Sequence, residues 1–408
     1  MKLSCIITTR NNCAALLATL DGLAETLALP ERDLEILVVD NGSSDGTAAA
    51  LTQRREIRVI SLDENEGVPA RNLALTHARG KYVAFLEENV RPVGHAVPQA
   101  LAYLGRHPKT AGVVANMVLP DGSTDAPALP SVLMSGASIV RKSVLDEVGG
   151  FAAEFFRQAA DYDLSFRIWR AGHRIERFED LQFTRTAMPT GKSSGIACRM
   201  DLRNNLILCE RYLPRPLRHA YRNDWMRRYA LLARHDGYAA AARTAIMESR
   251  IWARREAAVG RQTLGPQALE SVLGLNSQQE LISIWAKKNA IRRVCIADWG
   301  KNLYATWAAC QAAGLKVEAV LDNLPAFTDV RYRGTPVVPD AAIDPPSIDG
   351  ILVSTLNPAH VIQRANALER RFSLPVLSLW TPNYLVLPPS QDLDHSIAPS
   401  PRKIDRAA

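Results

Sequence analysis

The chain has 408 residues, 47% of them hydrophobic and 22% charged, and carries a net charge of +7. That length exceeds what one hydrophobic core usually organises, so two or more domains of ordinary globular composition are expected. No run of about 18 apolar residues could span a bilayer, and MKLSCIITTR lacks the apolar stretch and cleavage site of a signal peptide, so a cytoplasmic protein is expected.

The first half alternates short apolar runs with helix-like stretches. LSCIITT (3–9) reads as a buried strand, and 11–27 as a helix whose leucines recur at three- and four-residue steps. ILVVDNGSSDGT (36–47) is a second strand closed by a polar turn, with Ser44 or Asp45 placed to cap the next helix. A third strand is IRVISLD (57–63), followed by a helix from Val68 to Arg79 and a fourth strand, KYVAFLE (81–87). Strands and helices alternating in short units imply a mostly parallel, doubly wound sheet, whose ligands gather at the carboxyl ends of the strands. Asp40, Asn65 and the triplet Glu87, Glu88 and Asn89 would lie along that rim. Further on come a strand-like SGASIVR (135–141), a turn at Gly149 and Gly150, and a helix at 160–172 with Arg167 and Arg170 on its polar side.

Residues 200–285 read as helical and basic; between 211 and 261 there are twelve arginines against four acids. This points to an anionic partner or to a solvated helical face. An anionic membrane surface is one expectation, and the aromatic-plus-basic signatures of nucleic-acid modules are lacking. Trp225 and Trp252 read as core or interdomain residues. A second αβ pattern begins at Arg292, with strands at 292–297, 316–323, 350–356 and 375–379, a helix at 302–313 and another at 358–371. Its first turn, ADWGKN (297–302), has one glycine where a dinucleotide fingerprint wants three, and Asp298 and Trp299 would crowd a pyrophosphate. Asp322 could still meet a ribose hydroxyl. The six cysteines (5, 13, 198, 209, 295 and 310) are scattered without a CxxC pair, as reduced thiols buried among apolar side chains would be.

Five segments in order, IITTRNN, VVDNGSSDGT, NEGVPARNLAL, GKYVAFLEEN and GGFAAEFFRQAADYDLSFRIWRAGHRI, resemble the inverting glycosyltransferases of family 2, which have the GT-A fold; the resemblance covers roughly residues 1–215. It implies an α/β architecture with a doubly wound mixed GT-A sheet at 1–210, a basic helical region at 211–285, a small Rossmann-like α/β domain at 286–387, and a disordered tail at 388–408. Sugar transfer requires that the nucleotide be held, the departing diphosphate neutralised, and the acceptor hydroxyl deprotonated as it attacks the anomeric carbon.

The resemblance assigns nucleotide binding to Thr8, Thr9 and Arg10, to Asp40 facing base or ribose, to Asn65 and Gly67 shaping the next turn, and to Arg71 reaching base or phosphates. Family members usually carry an Asp-x-Asp triplet whose last Asp binds a divalent cation, Mn2+ or Mg2+. This chain has Glu87, Glu88 and Asn89 there, with Glu88 and Asn89 the expected contacts and neutralisation by Arg71 or Arg91 as the alternative. In AADYDL (159–164) the first acid of the usual Glu-Asp-x-Asp pattern is Ala160; Asp161 is the expected general base and Asp163 a supporting carboxylate. The histidine that the family tends to carry some twenty residues beyond the base is missing from LQFTRTAMP (181–189). The function implied is transfer of a sugar, with inversion, from a UDP- or dTDP-sugar to a saccharide or lipid-linked acceptor of cell-envelope polysaccharide assembly. It would take place in the cytoplasm or on the inner face of the plasma membrane. The alternative is a nucleotide-sugar-binding or scaffold protein of the same fold with reduced catalysis.

Overall fold

The structure, a computed structural model, describes residues 1–189 and 194–385, so the tail expected at 388–408 lies outside the described residues. The chain opens with β1 (Leu3–Thr9), α1 (Cys13–Leu27), β2 (Leu34–Asn41), α2 (Thr47–Leu51), β3 (Arg58–Leu62), α3 (Arg71–His77) and β4 (Tyr82–Glu87). β1 pairs in parallel with β2 on one side and β4 on the other, and β2 pairs in parallel with β3. A strand flanked on both sides and covered on both faces reads as a near-continuous apolar run, which is why Leu3, Cys5, Ile6 and Ile7 are fully buried, and the buried Ser4 hydroxyl is satisfied by Glu35. Helix α1 lays Leu16, Leu20, Leu23 and Leu27 on the core and stops at Ala28, which adopts the left-handed conformation. Asp45 accepts a hydrogen bond from the Thr47 amide at 3.2 Å, although Gly46 is the residue at the cap position itself.

β5 (Val90–Pro92), α4 (Ala96–Arg106), β6 (Thr110–Val118), β7 (Thr124–Asp125), β8 (Ser138–Arg141), α5 (Lys142–Val148), α6 (Ala160–Arg170) and β9 (Arg174–Arg185) complete a nine-stranded mixed sheet among the described residues. Its order is β3-β2-β1-β4-β8-β6-β9-β5, with β7 on β6. Strand order reverses at β1, because β2 and β3 build outward on one side and β4 starts the other. Clefts form at the carboxyl ends at such a switch point. The long β6 and β9, which pair in parallel, have no counterpart in the sequence-based reading. β9 carries charge in mid-strand, with Arg177 and Glu179 paired at 2.6 Å, and so hides its strand character.

Helices α7 (Gly195–Tyr212), α8 (Arg215–His235), α9 (Ala239–Val259), α10 (Pro266–Leu273) and α11 (Leu275–Lys288) follow. Much of their basic character is used inside the protein. Glu210 gathers Arg218, Arg222 and Arg261, Arg211 is buried among three carboxylates, and Arg228 donates to the Trp299 carbonyl. No helix of the described residues is long and apolar enough to cross a membrane.

The last part is β10 (Arg293–Ala297), α12 (Leu303–Ala312), β11 (Lys316–Leu321), β12 (Arg331–Tyr332), β13 (Thr335–Val338), β14 (Gly350–Val353), α13 (Val361–Phe372) and β15 (Val376–Ser378). These form a second sheet, ordered β12-β13-β11-β10-β14-β15 and parallel except at β12. It is tied to the first part through buried contacts. The Trp225 indole donates to the Lys301 carbonyl at 3.0 Å, and the Glu179 amide donates to the Asn383 carbonyl at 2.9 Å. Trp225 thus joins α8 to the turn after β10, whereas Trp252 is partly buried against the first core. All six cysteines are free, and Cys5, Cys209, Cys295 and Cys310 are buried.

Candidate active site

Strand register assembles the rim. Thr8 stands opposite Glu87 and Thr9 opposite Asp40, so the ends of β1, β2 and β4 bring these four residues to one level. The turns beyond are laced together. Asn11 accepts from the Ser44 amide at 2.7 Å, the Cys13 amide donates to Asp45 at 3.0 Å, and Asp40 accepts from the Ser43 amide at 3.1 Å. Asn41, which sequence reasoning passed over, receives the Glu66 amide at 2.8 Å and donates to the Gly67 carbonyl at 3.1 Å, fixing the third turn to the second. Arg10 is exposed beside this assembly.

Asn65 accepts from the Gly67 amide at 2.9 Å. Gly67 has φ +70°, and a Cβ there would come within 2.0 Å of the Phe156 carbonyl oxygen, so only glycine allows this turn to lie against the chain leading into α6. The turn delivers Arg71 to the first residue of α3. Its side chain is 5% exposed, stacks 5.8 Å from the Phe151 ring, leaves Nε without a hydrogen-bond partner and makes no salt bridge among the described residues. A buried guanidinium is costly unless an anion meets it.

Across the cleft, Asp161 sits in the first turn of α6 and accepts from both the amide of Ser135, at 3.1 Å, and its hydroxyl. The adjoining Gly136 lies against Glu87: a Cβ there would come 3.5 Å from the carboxyl carbon. The Ser135–Gly136 turn therefore joins the acidic triplet to Asp161, on one side of the sheet. Burial raises the Asp161 carboxyl above its ordinary range, against the opposing pull of Ser135 and Arg71. Burial also raises Glu87; Arg185 and Arg71 lower it, while Glu88 and Asp161 add to the rise. Asp161, Arg71 and Glu87 thus share one electrostatic neighbourhood.

Asp163 is placed differently. With no exposed surface, it accepts from Arg167 at 2.7 Å, Arg211 at 2.9 Å and the Tyr212 hydroxyl at 2.7 Å, all on the side away from the cleft. Expected as a supporting carboxylate, it has no surface open to a substrate, and its partners tie α6 to α7. Ala160, where the family pattern has an acid, is 4% exposed and packs in the core.

The triplet does not fit a divalent cation as its side chains stand. Glu87 pairs with Arg185 at 2.7 Å, Glu88 accepts from Asn12 at 3.1 Å, and the side-chain oxygen of Asn89 is buried without a partner. No group of three or more His, Cys, Asp or Glu that could hold a metal comes together among the described residues, so a cation here would have to draw most of its oxygen ligands from the diphosphate and water. Arg91, the expected alternative, turns away and donates to the Ala18 carbonyl. The hydroxyls of Thr8 and Thr9 and the Nε of Arg185 join Arg71 and Asn89 as buried polar atoms without partners, a concentration typical of ligand-binding rims.

The family model for glycosyl transferase family 2 matches residues 4–155, the stretch that builds this rim. Over this stretch the chain is similar to family 2. Over 203 residues the protein is 29% identical to the pre-mycofactocin glycosyltransferase of Mycobacterium tuberculosis, covering 43% of this chain and 40% of that protein. Over 112 residues it is 30% identical to the poly(ribitol-phosphate) beta-N-acetylglucosaminyltransferase TarS of Staphylococcus aureus, covering 26% of this chain and 19% of TarS. The chain thus spans well under half the length of these relatives. The crystal structure of S. aureus TarS 1–349 in complex with UDP-GlcNAc superposes with a TM-score of 0.47 at 17% identity, over 82% of this chain and 98% of that one.

The matched stretch does not reach the second sheet, where a crevice of about 570 Å³ opens at the carboxyl ends of β10, β11 and β14. Trp299 is buried there, and Asp298 is held by Arg364 at 2.9 Å. The expected ribose contact, Asp322, accepts the amides of Trp299 at 2.8 Å and Leu324 at 3.0 Å. Its carboxylate holds the turns together.

Proposed function

We propose that the protein transfers a sugar, with inversion, from a UDP- or dTDP-sugar to a saccharide or lipid-linked acceptor of cell-envelope polysaccharide assembly. One observation carries this reading: Asp161, raised by burial, faces the same cleft as a buried guanidinium, Arg71, that makes no salt bridge. The pairing suits a reaction in which a base takes a proton from a hydroxyl while negative charge grows on a departing diphosphate. The nucleotide lies along Thr8, Thr9, Arg10 and Asp40, with Asn65 and Gly67 shaping its wall, and Arg71 holds the phosphates. The acceptor hydroxyl attacks the anomeric carbon from the Asp161 side. The carbon–oxygen bond to the diphosphate breaks with its electron pair, and a single displacement of this kind inverts configuration. The two relatives differ in acceptor by name, so the acceptor is proposed only as a class.

The division into a transferase region at 1–210, a helical region at 211–285 and a Rossmann-like region at 286–387 is proposed on the same footing. It is supported by the end of the first sheet at Arg185 and the start of the second at Arg293. Helix α9 exposes Met247 (66%) and Ile251 (65%) beside the exposed Arg243, Arg250 and Arg254, a face suited to an anionic membrane surface. Co-sedimentation with vesicles should rise with anionic lipid content; no dependence on it removes the membrane reading.

Thermal melting with UDP and with dTDP tests the nucleotide reading, since a ligand bound to the folded state raises the melting temperature by mass action. A shift with at least one nucleotide is expected. If neither shifts it, the transferase fails together with its alternative, a catalytically silent nucleotide-sugar-binding protein.

A further inference from the structure

We propose that Arg185, together with Arg71, does the work of the divalent cation, so that this chain neutralises the departing diphosphate with two guanidinium groups and needs no metal. The inference rests on the transferase reading above.

β5 runs antiparallel to β9 with Val90 opposite Arg185, and the Thr186 amide donates to the Asn89 carbonyl at 2.8 Å. This register sets Arg185 beside the triplet, although the two are almost a hundred residues apart in the chain. Its side chain is 9% exposed, with Nη2 2.7 Å from Glu87 and Nη1 3.5 Å from Asp125, and Nε is buried without a partner. In the unliganded protein the Arg185 charge is balanced by Glu87 and Asp125, and its guanidinium stands at the triplet where a departing diphosphate could compete for it. A divalent cation bound to the same Glu87 oxygen would sit roughly 2.0–2.6 Å from it, and so a few ångströms from the Arg185 charge, where like charges repel.

Three further observations point the same way. Asn89 stands where a charged ligand is expected, Glu88 is engaged by Asn12, and Arg71 is buried without a salt bridge among the described residues, within electrostatic reach of Glu87. A guanidinium offers a planar fork of donors that matches phosphate oxygens in pairs. In the reaction the acceptor oxygen bonds to the anomeric carbon, the acceptor proton passes to Asp161, and the electron pair of the broken bond stays on the diphosphate. Arg71 and Arg185 hold that charge.

The test is calorimetric titration of the intact chain with UDP and with dTDP, in excess EDTA and again with Mn2+. Equal affinity in both conditions is expected. Arg185→Met should weaken binding roughly 10- to 100-fold, the worth of one charge-assisted contact, and Arg185→Lys should recover part of it. Binding that requires Mn2+ overturns the proposal and leaves the transferase reading standing. So does an Arg185→Met protein that is folded and binds as the parent does, which would make Arg185 a structural partner of Glu87 alone. Failure to bind either nucleotide in either condition overturns both. The comparison of EDTA with Mn2+ uses the unaltered protein, so the proposal stays testable if the variants do not fold.

Discussion

Asp161→Asn should lower sugar transfer by roughly 10²–10⁴-fold, the usual worth of a general base, while nucleotide affinity stays nearly unchanged. The substitution keeps shape and an oxygen for one Ser135 donor but cannot accept a proton. Because burial lifts the Asp161 carboxyl above its ordinary range, the wild-type rate should climb with pH through a step above that range, since only the ionised form acts as base. The same shift sets the sign for stability. A carboxyl raised in the folded state contributes stability that is present below its unfolded value and lost as pH rises through its folded value. Once pH exceeds that folded value, ionised Asp161 weighs against the fold, and there Asp161→Asn should melt no lower than the parent. Transfer assays across pH and thermal melts of both proteins check the pair of statements; undiminished transfer in the variant would place the base elsewhere.

Arg211→Met should be the most damaging single change to stability. Its guanidinium joins Asp163 at 2.9 Å, Glu256 at 2.6 Å and Glu154, in a position where Asp163 has no exposed surface and Glu256 almost none. Burial opposes the arginine's charge, but Glu256, Asp163 and Glu154 outweigh it and hold the group protonated. Removing one partner of a buried pair leaves uncompensated charge and costs about 3–5 kcal/mol, a fall in melting temperature on the order of 10 °C. Against the pull of burial, Arg211 helps hold the Glu154 carboxyl below its ordinary range, so the stability it lends through Glu154 is present above the unfolded value and the deficit should shrink on acidification. Since Asp163 lies in the same turn as Asp161, the variant should also lose transfer. A melt within a degree or two of the parent would show that the cluster is dispensable.

How far the sequence carried can be read residue by residue. The strands β1, β2 and β4 were legible because each is an apolar run buried on both faces and closed by turn residues, and their order alone foretold that Asp40 and Glu87 share a rim. The finer placement of Asp161 and Asp163 was open to the same reasoning. Residues two apart on a helix point about 200° apart, so both could not face one cleft, and the structure turns Asp163 to the interior. Ser135 and Gly136 left no trace, because nothing in SGAS distinguishes a turn that holds a carboxylate from any other. Arg185 was hidden for a different reason. Its partner Glu87 is far off in the chain, and only the pairing of β5 with β9, a strand whose internal charges disguise it, brings the two together.

The most direct measurement of the central claim is a crystal structure of the intact chain with UDP or dTDP bound. The account predicts the diphosphate between the guanidinium groups of Arg71 and Arg185, the nucleoside beside Asp40, and Asp161 facing the open side of the β-phosphate. A nucleotide found instead in the crevice at the carboxyl ends of β10 and β14, with the rim of the first sheet unchanged, would contradict it.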